Sequence, residues 1–206
     1  MTDMSQTVYV VEDDEAVRDS LTLLLESEGL RVETFATGND FLEAWNEDMA
    51  GCIVLDIRMP GLDGMEVQSA LNEHNSLLPI IFVTGHGDVP LAVEAMKHGA
   101  VDFVQKPYRE EALLDKVKSA LEQDEEQRRS LGERNEIVRK IESLTPRERE
   151  IMDRMVEGQA NKVIAIELDI SQRTVEIHRS RVMHKMGTHS LAHLVRMVMS
   201  VKDRID

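Results

Sequence analysis

The sequence predicts two folded units of different class. The first is an α/β doubly wound domain with a five-stranded parallel sheet, and the second an all-α four-helix domain containing a helix-turn-helix. Three observations carry this. Within residues 1–123, five short apolar runs each give way to a helical pattern. That stretch holds 8 basic and 24 acidic side chains, whereas residues 124–206 hold 16 and 15. Beyond residue 144 every apolar period is helical. The limits that follow are 1–123 for the first domain, 124–143 for a helical linker and 144–206 for the second domain.

Residues 8–11 read as the first strand. A helix over 14–28 follows, with Val17, Leu21, Leu24 and Leu25 at helical spacing and Gly29 as its stop. Strands at 32–35, 52–55, 80–84 and 103–105 alternate with helices near 39–46, 65–75, 90–98 and onward from 109. The runs at 52–55 and 80–83 are apolar throughout, as strands covered on both faces must be. From 110 to 144 Leu114, Val117, Leu121, Leu131, Val138 and Ile141 lie near heptad spacing, but Asp124, Arg128 and Asn135 interrupt the seam. A solvated helical linker therefore fits better than a coiled coil, with Gly132 as a break point.

The second domain opens with a capping box, Thr145-Pro146-Arg147-Glu148, starting a helix that ends at Gly158. A helix over 162–168 presents Val163, Ile164, Ile166 and Leu168. After a tight Asp169-Ile170 connection, Ser171 caps a third helix over 172–186, which Gly187 ends. A fourth, around 191–201, is expected to bury Leu191, Leu194, Val195 and Val198. Two short helices joined by a tight turn, the second of them basic, make a helix-turn-helix.

Charge placement points to chemistry in the first domain. Asp56 closes the buried run Cys52-Ile53-Val54-Leu55, where an unpartnered carboxylate is costly. Glu12, Asp13 and Asp14 follow the first strand, Thr84 ends the fourth and Lys106 follows the fifth. In a parallel sheet such ends lie side by side around a crevice. Clustered carboxylates suit Mg²⁺, which takes one or two of them and keeps waters. Asp56 is then free to attack phosphorus, Lys106 adds a second positive point, and the Thr84 hydroxyl can bond a phosphoryl oxygen. Lys106-Pro107 suggests a locked turn in which a cis bond aims the ammonium into the site. Any one of these residues alone fits a structural ion-pair network as well. A Mg²⁺-dependent phosphohydrolase with an aspartyl nucleophile is the enzymatic alternative, but its second carboxylate two residues on is replaced by Arg58, so turnover on external esters is not expected.

Composition narrows the setting. With no run of about 18 apolar residues and no basic, hydrophobic leader, a soluble cytoplasmic protein without a membrane partner is expected. The single cysteine, Cys52, excludes an internal disulfide framework and reads as inert core. The net charge of −15 conceals a basic element, because residues 171–202 carry six basic side chains against Glu176 alone. On the third helix of the second domain Val175, Val182 and Met186 line one face, and Arg173, Glu176, Ile177, Ser180 and Arg181 lie opposite. Basic groups there can hold phosphates, and a carboxylate in the major groove can accept from cytosine N4. Glu176 and Ile177 are thus expected to read bases, with Arg173, Arg179 and Lys185 positioning the duplex. Two alternatives stay open: Glu176 paired with Arg173 or Arg179 on its own helix, and a helical domain that contacts protein rather than DNA.

Residues 7–123 resemble the receiver domain of two-component response regulators, through the acidic pair, Asp56-x-x-Met59-Pro60-Gly61, Thr84 and Lys106-Pro107. The stretch 84–90, with 92–97 and Gly99-Ala100, is similar to the FixJ subgroup of the NarL/FixJ family. Residues 144–202 resemble the LuxR-type DNA-binding domain, through Leu144-Thr145-x-Arg147-Glu148, Asn161-Lys162, Arg173-Thr174-Val175-Glu176 and Lys185-Met186. The resemblance implies a phosphoacceptor at Asp56 served by a sensor histidine kinase. It also implies Mg²⁺ held by Asp13, Asp56 and the Arg58 carbonyl, with Glu12, where the family more often has Asp, acting through metal-bound water. Thr84 and Phe103 would be the switch pair. Phosphorylation would promote a homodimer that binds double-stranded promoter DNA and works with RNA polymerase. Lys162, Thr174, Ser180 and Arg181 complete the expected DNA contacts.

Overall fold

The computed structural model describes residues 6–85 and 89–204. Contacts divide the chain into two compact units, the first ending at Arg128. In the first, strands β1 (Thr7–Val11), β2 (Arg31–Phe35), β3 (Gly51–Asp56), β4 (Ile80–Thr84) and β5 (Asp102–Gln105) form one sheet in the order β2-β1-β3-β4-β5. Every pairing is parallel. Helices α1 (Glu15–Ser27), α2 (Gly38–Ala44), α3 (Gly64–Glu73), α4 (Val89–Lys97) and α5 (Glu110–Glu142) complete the alternation. The doubly wound prediction holds.

Strand periodicity explains the layering. Ile53 and Leu55 face the side covered by Phe41 of α2, Val67 and Leu71 of α3 and Ala95 of α4. Cys52 and Val54 face the opposite side, where Leu21 and Leu25 of α1 meet Leu113, Val117 and Leu121 of α5. The register pairs Val11 with Leu55, Asp56 with Val83 and Thr84 with Gln105, so the carboxyl ends of the central strands finish together.

One sequence expectation changes here, and the exclusion of Asp14 from the metal ligands gains a structural reason. Gly132 does not break the helix: α5 runs unbroken for 33 residues. A glycine costs a helix interior only about 1 kcal/mol, and Glu, Arg and Leu neighbours sustain it. Asp14 is the N-cap of α1, accepting from Ala16 N at 2.9 Å and Val17 N at 3.1 Å, and so lies outside the carboxylate site.

The second unit holds the end of α5 with α6 (Pro146–Val156), α7 (Asn161–Glu167), α8 (Gln172–Met186) and α9 (Leu191–Met199). Its core gathers Ile141, Ile151, Met152, Met155, Ile164, Val175, Val182, Met186 and Leu194. The capping box of α6 forms in both directions, Glu148 N donating to Thr145 Oγ1 at 3.3 Å and Thr145 N to Glu148 Oε2 at 2.9 Å. Asp169 takes a left-handed turn (φ 51°), which sets α8 across α7 with few intervening residues. On α9 the buried face is Leu194, Met197 and Val198; Leu191 is exposed and Val195 half-buried, against expectation. Val201 continues that buried face one turn on, so the helix is rotated toward 194, 197, 198 and 201. On α7 only Ile164 and Ala165 are buried, while Val163 and Ile166 face solvent.

Candidate phosphoryl site and nucleic-acid interface

The strand ends bring the expected groups together. β1 delivers Glu12 and Asp13, β3 delivers Asp56, and the turn after β5 delivers Lys106. Lys106 Nζ donates to Glu12 Oε2 at 2.8 Å and to Asp56 Oδ2 at 3.1 Å. Asp56 Oδ1 accepts from the Arg58 backbone N–H at 3.3 Å, which puts that main chain beside the carboxylate. Glu12, Asp13 and Asp56 each offer an oxygen, and all three oxygens lie within 4.8 Å of one another. Glu12 is buried and Asp13 exposed, so the cluster opens to solvent on one side. The Lys106-Pro107 peptide is cis.

Electrostatics follow from this geometry. Burial raises the Glu12 pKa, with the Asp56 charge adding to the rise and the Lys106 bond opposing it. Burial alone would lower the Lys106 pKa, but the carboxylates of Glu12 and Asp56 outweigh it and the net direction is up. The ammonium therefore stays charged beside Asp56. A site with three carboxylates, one of them open to solvent, and a single lysine suits a hard divalent ion. Thr84 is fully buried at the end of β4, and its hydroxyl donates to Gly85 O at 3.1 Å rather than to Asp56. Phe103 is half-buried against the cluster around Phe82.

In the second unit α8 buries Val175, Val182 and Met186, as its spacing predicts. Arg173, Glu176, Ile177, Ser180 and Arg181 are exposed along the other side, and His184 extends the row. His184 was not among the expected contacts; its signal was a position four residues past Ser180. Among the described residues Glu176 makes no ion pair, so its pairing with Arg173 or Arg179 does not form. Arg179 and Thr174 are half-buried, and the Thr174 hydroxyl bonds the Ser171 hydroxyl at 2.8 Å. Lys162 is exposed in the first turn of α7. Lys185 is engaged inside the domain: its ammonium donates to Glu148 Oε2 at 2.7 Å and to Ser143 O at 3.0 Å. That bond, with the Thr145 N–H, holds the Glu148 carboxyl down to about 2.

Known proteins share both halves. Residues 8–118 match the family described as the response regulator receiver domain, and residues 142–198 match bacterial regulatory proteins of the luxR family. The chain is 47% identical over 192 residues to the transcriptional regulatory protein FixJ of Bradyrhizobium diazoefficiens, covering 93% of this chain and 94% of that protein. It is 42% identical over 206 residues to the response regulator protein TodT of Pseudomonas putida, covering 100% and 91%. Among solved structures, the response regulator StyR matches with a TM-score of 0.88 at 42% identity, over 95% of this chain and 98% of that one. Full-length FixJ from B. japonicum matches with a TM-score of 0.60 at 46% identity, over 97% and 98%.

Proposed function

The chain belongs to the response regulators that join a receiver to a LuxR-family DNA-binding domain, and from that premise we propose that Asp56 is the phosphoacceptor through which a sensor histidine kinase controls its transcription-regulating activity. The observation that carries the residue assignment is the Asp56 carboxylate at the end of β3, 3.1 Å from Lys106 and beside Glu12 and Asp13. An Asp56 oxygen forms the new bond to phosphorus as the donor's P–N bond breaks, and the electron pair leaves on the histidine nitrogen. Lys106 stands where it can hold a phosphoryl oxygen, and its existing bonds keep it there. Asp13, Asp56 and the Arg58 carbonyl would hold Mg²⁺, with Glu12 acting through water; the ion supplies positive charge against the phosphoryl oxygens.

Thr84 and Phe103 form the switch pair in this reading. The Thr84 hydroxyl exchanges its bond to Gly85 O for one to the phosphoryl group, and Phe103, already half-buried, turns further inward. The face of α4, where Val93 and Met96 are exposed, then pairs two copies. Dimerisation brings two α8 helices to a two-fold promoter site, with RNA polymerase as the downstream partner. Glu176 and Ile177 read bases; Arg173, Arg179, Ser180, Arg181, Thr174 and Lys162 position the duplex. Lys185 belongs to this interface only if it gives up its Glu148 bond. The receiver, linker and DNA-binding limits stay at 1–123, 124–143 and 144–206, and the division of contacts after Arg128 attaches the first linker turn to the receiver. No helix among the described residues is long and apolar enough to cross a membrane; our reading remains a cytoplasmic regulator without turnover on external esters, since Arg58 stands where a phosphohydrolase would need its second carboxylate.

The test is phosphotransfer with Mg²⁺ to the wild-type chain and to Asp56→Asn, followed by binding to a palindromic duplex. Wild type should gain phosphate and DNA affinity. A variant that gains both equally would remove Asp56 from the mechanism.

A further inference from the structure

We propose that Asp124 and Arg128 anchor the start of the linker helix to the receiver, and that β3 thereby couples the phosphoacceptor to the linker from the end opposite Asp56. This rests on the function proposed above and adds a second exit for its signal.

Asp124 is fully buried, on a stretch of α5 whose sequence is otherwise almost entirely charged. A buried carboxylate persists only when its oxygens are fully bonded. Here Oδ2 accepts from the Gly51 backbone N–H at 2.9 Å and from Gln6 Nε2 at 3.4 Å. Oδ1 accepts from Arg128 Nε at 2.7 Å. Arg128 also donates from Nη2 to Met49 O, and Gln6 Nε2 donates to Leu121 O at 2.7 Å. One acid thus ties together α5, the segment leading into β3 and the segment leading into β1. Burial pushes the Cys52 thiol up to about 12, and the Asp124 charge adds to that rise.

Gly51 is suited to this node. Its φ is +129°, and a Cβ there would lie 1.9 Å from Thr7 O. The missing side chain lets the start of β3 lie tight against Thr7 of β1, next to Gln6, which bonds the same carboxylate. The strand that begins at Gly51 ends at Asp56, roughly 17 Å away at about 3.3 Å per residue. One end of β3 therefore carries the reacting carboxylate and the other carries the helix that leaves the receiver. From 129 to 136 no residue is buried, and Ile141 is the next fully buried side chain on α5. The anchor fixes where the linker stops being part of the receiver.

The test uses the full chain as wild type, Asp124→Ala, Arg128→Ala and Asp56→Asn. Amide hydrogen exchange over residues 122–131 is read without phosphate; phosphotransfer to Asp56 and duplex binding are read with and without it. Both anchor variants should exchange faster over 122–131, by about tenfold, while phosphotransfer stays within about twofold of wild type. Their gain in DNA affinity on phosphorylation should fall by about tenfold, a size typical of coupling between sites. Unchanged exchange in both variants overturns the anchor. An unchanged gain, or a gain lost together with phosphotransfer and thermal stability in both variants, overturns the coupling. A wild type that shows no gain on phosphorylation defeats the functional reading instead, and the exchange measurement still decides the anchor.

Discussion

The Lys185 ammonium sits 2.7 Å from Glu148 Oε2, so the last turn of α8 is bonded to the capping box that starts α6. Two side chains 37 residues apart in sequence share one charge pair, which ties α8 to α6. A side chain expected on phosphate is instead bonded within the domain, on the helix proposed to meet the duplex.

This pair predicts a specific acid response. The Glu148 pKa is lowered from 4.5 to about 2 on folding, chiefly by Lys185. A carboxyl depressed in the folded state stabilises it above the unfolded pKa and loses that contribution as pH falls through the folded value. The second unit should therefore lose stability between pH 4.5 and about 2. Glu148→Gln should remove that part of the pH dependence. Lys185→Ala should lower stability at neutral pH by about 1–2 kcal/mol, as for a charged hydrogen bond. Amide exchange at Ile151 and Val182 against pH measures both; identical profiles for Glu148→Gln and wild type would refute the assignment.

At the receiver site, Asp13→Asn should raise the Mg²⁺ concentration needed for half-maximal phosphotransfer by about tenfold, since an open carboxylate is lost from the cluster. The folded receiver should be unaffected, because Asp13 is exposed. A Mg²⁺ titration of phosphotransfer reads this directly.

Gly51→Ala should destabilise the receiver by about 3 kcal/mol or more, combining a left-handed backbone with a collision against Thr7 O. Gly61→Ala is the control: its φ is also positive, at +80°, but nothing lies within 4 Å of the added carbon. Its cost should be only about 1 kcal/mol. Denaturant unfolding of both variants separates collision from backbone strain.

On DNA, the exposed row of α8 predicts two kinds of loss. Arg173→Ala should weaken binding to all sequences alike and reduce the slope of log K against log salt by about 1. Glu176→Ala should leave that slope nearly unchanged and relax one base position by about 1–3 kcal/mol. Salt titrations on a matched and a single-substituted duplex distinguish them, and equal losses on both duplexes for Glu176→Ala would remove it from base reading.

What was legible in the sequence depended on position within an element. Asp56, Thr84 and Lys106 stood out because each ends an apolar strand, and a parallel sheet brings such ends together. Val175, Val182 and Met186 were legible from period alone. Asp124 was not: inside a charged helical stretch a buried acid looks like a solvated one, and its partner is a backbone N–H on a strand 73 residues away. The Lys185 bond to Glu148 is hidden for the same reason, since charge on a basic helix does not reveal which ammonium turns inward. Leu191 and Met197 changed places because apolar residues surround most of α9, leaving its rotation to packing.

The exposed row from Arg173 to His184 also sets a length. Eleven residues of helix advance about 16 Å at 1.5 Å per residue. Base pairs stack at about 3.4 Å, so one copy can span about five of them. For the dimer proposed above, an operator should then be two short words of about that size, with their centres about one helical turn apart on the same side of the duplex. Insertion of half a turn between those words would place the second α8 on the wrong side of the DNA.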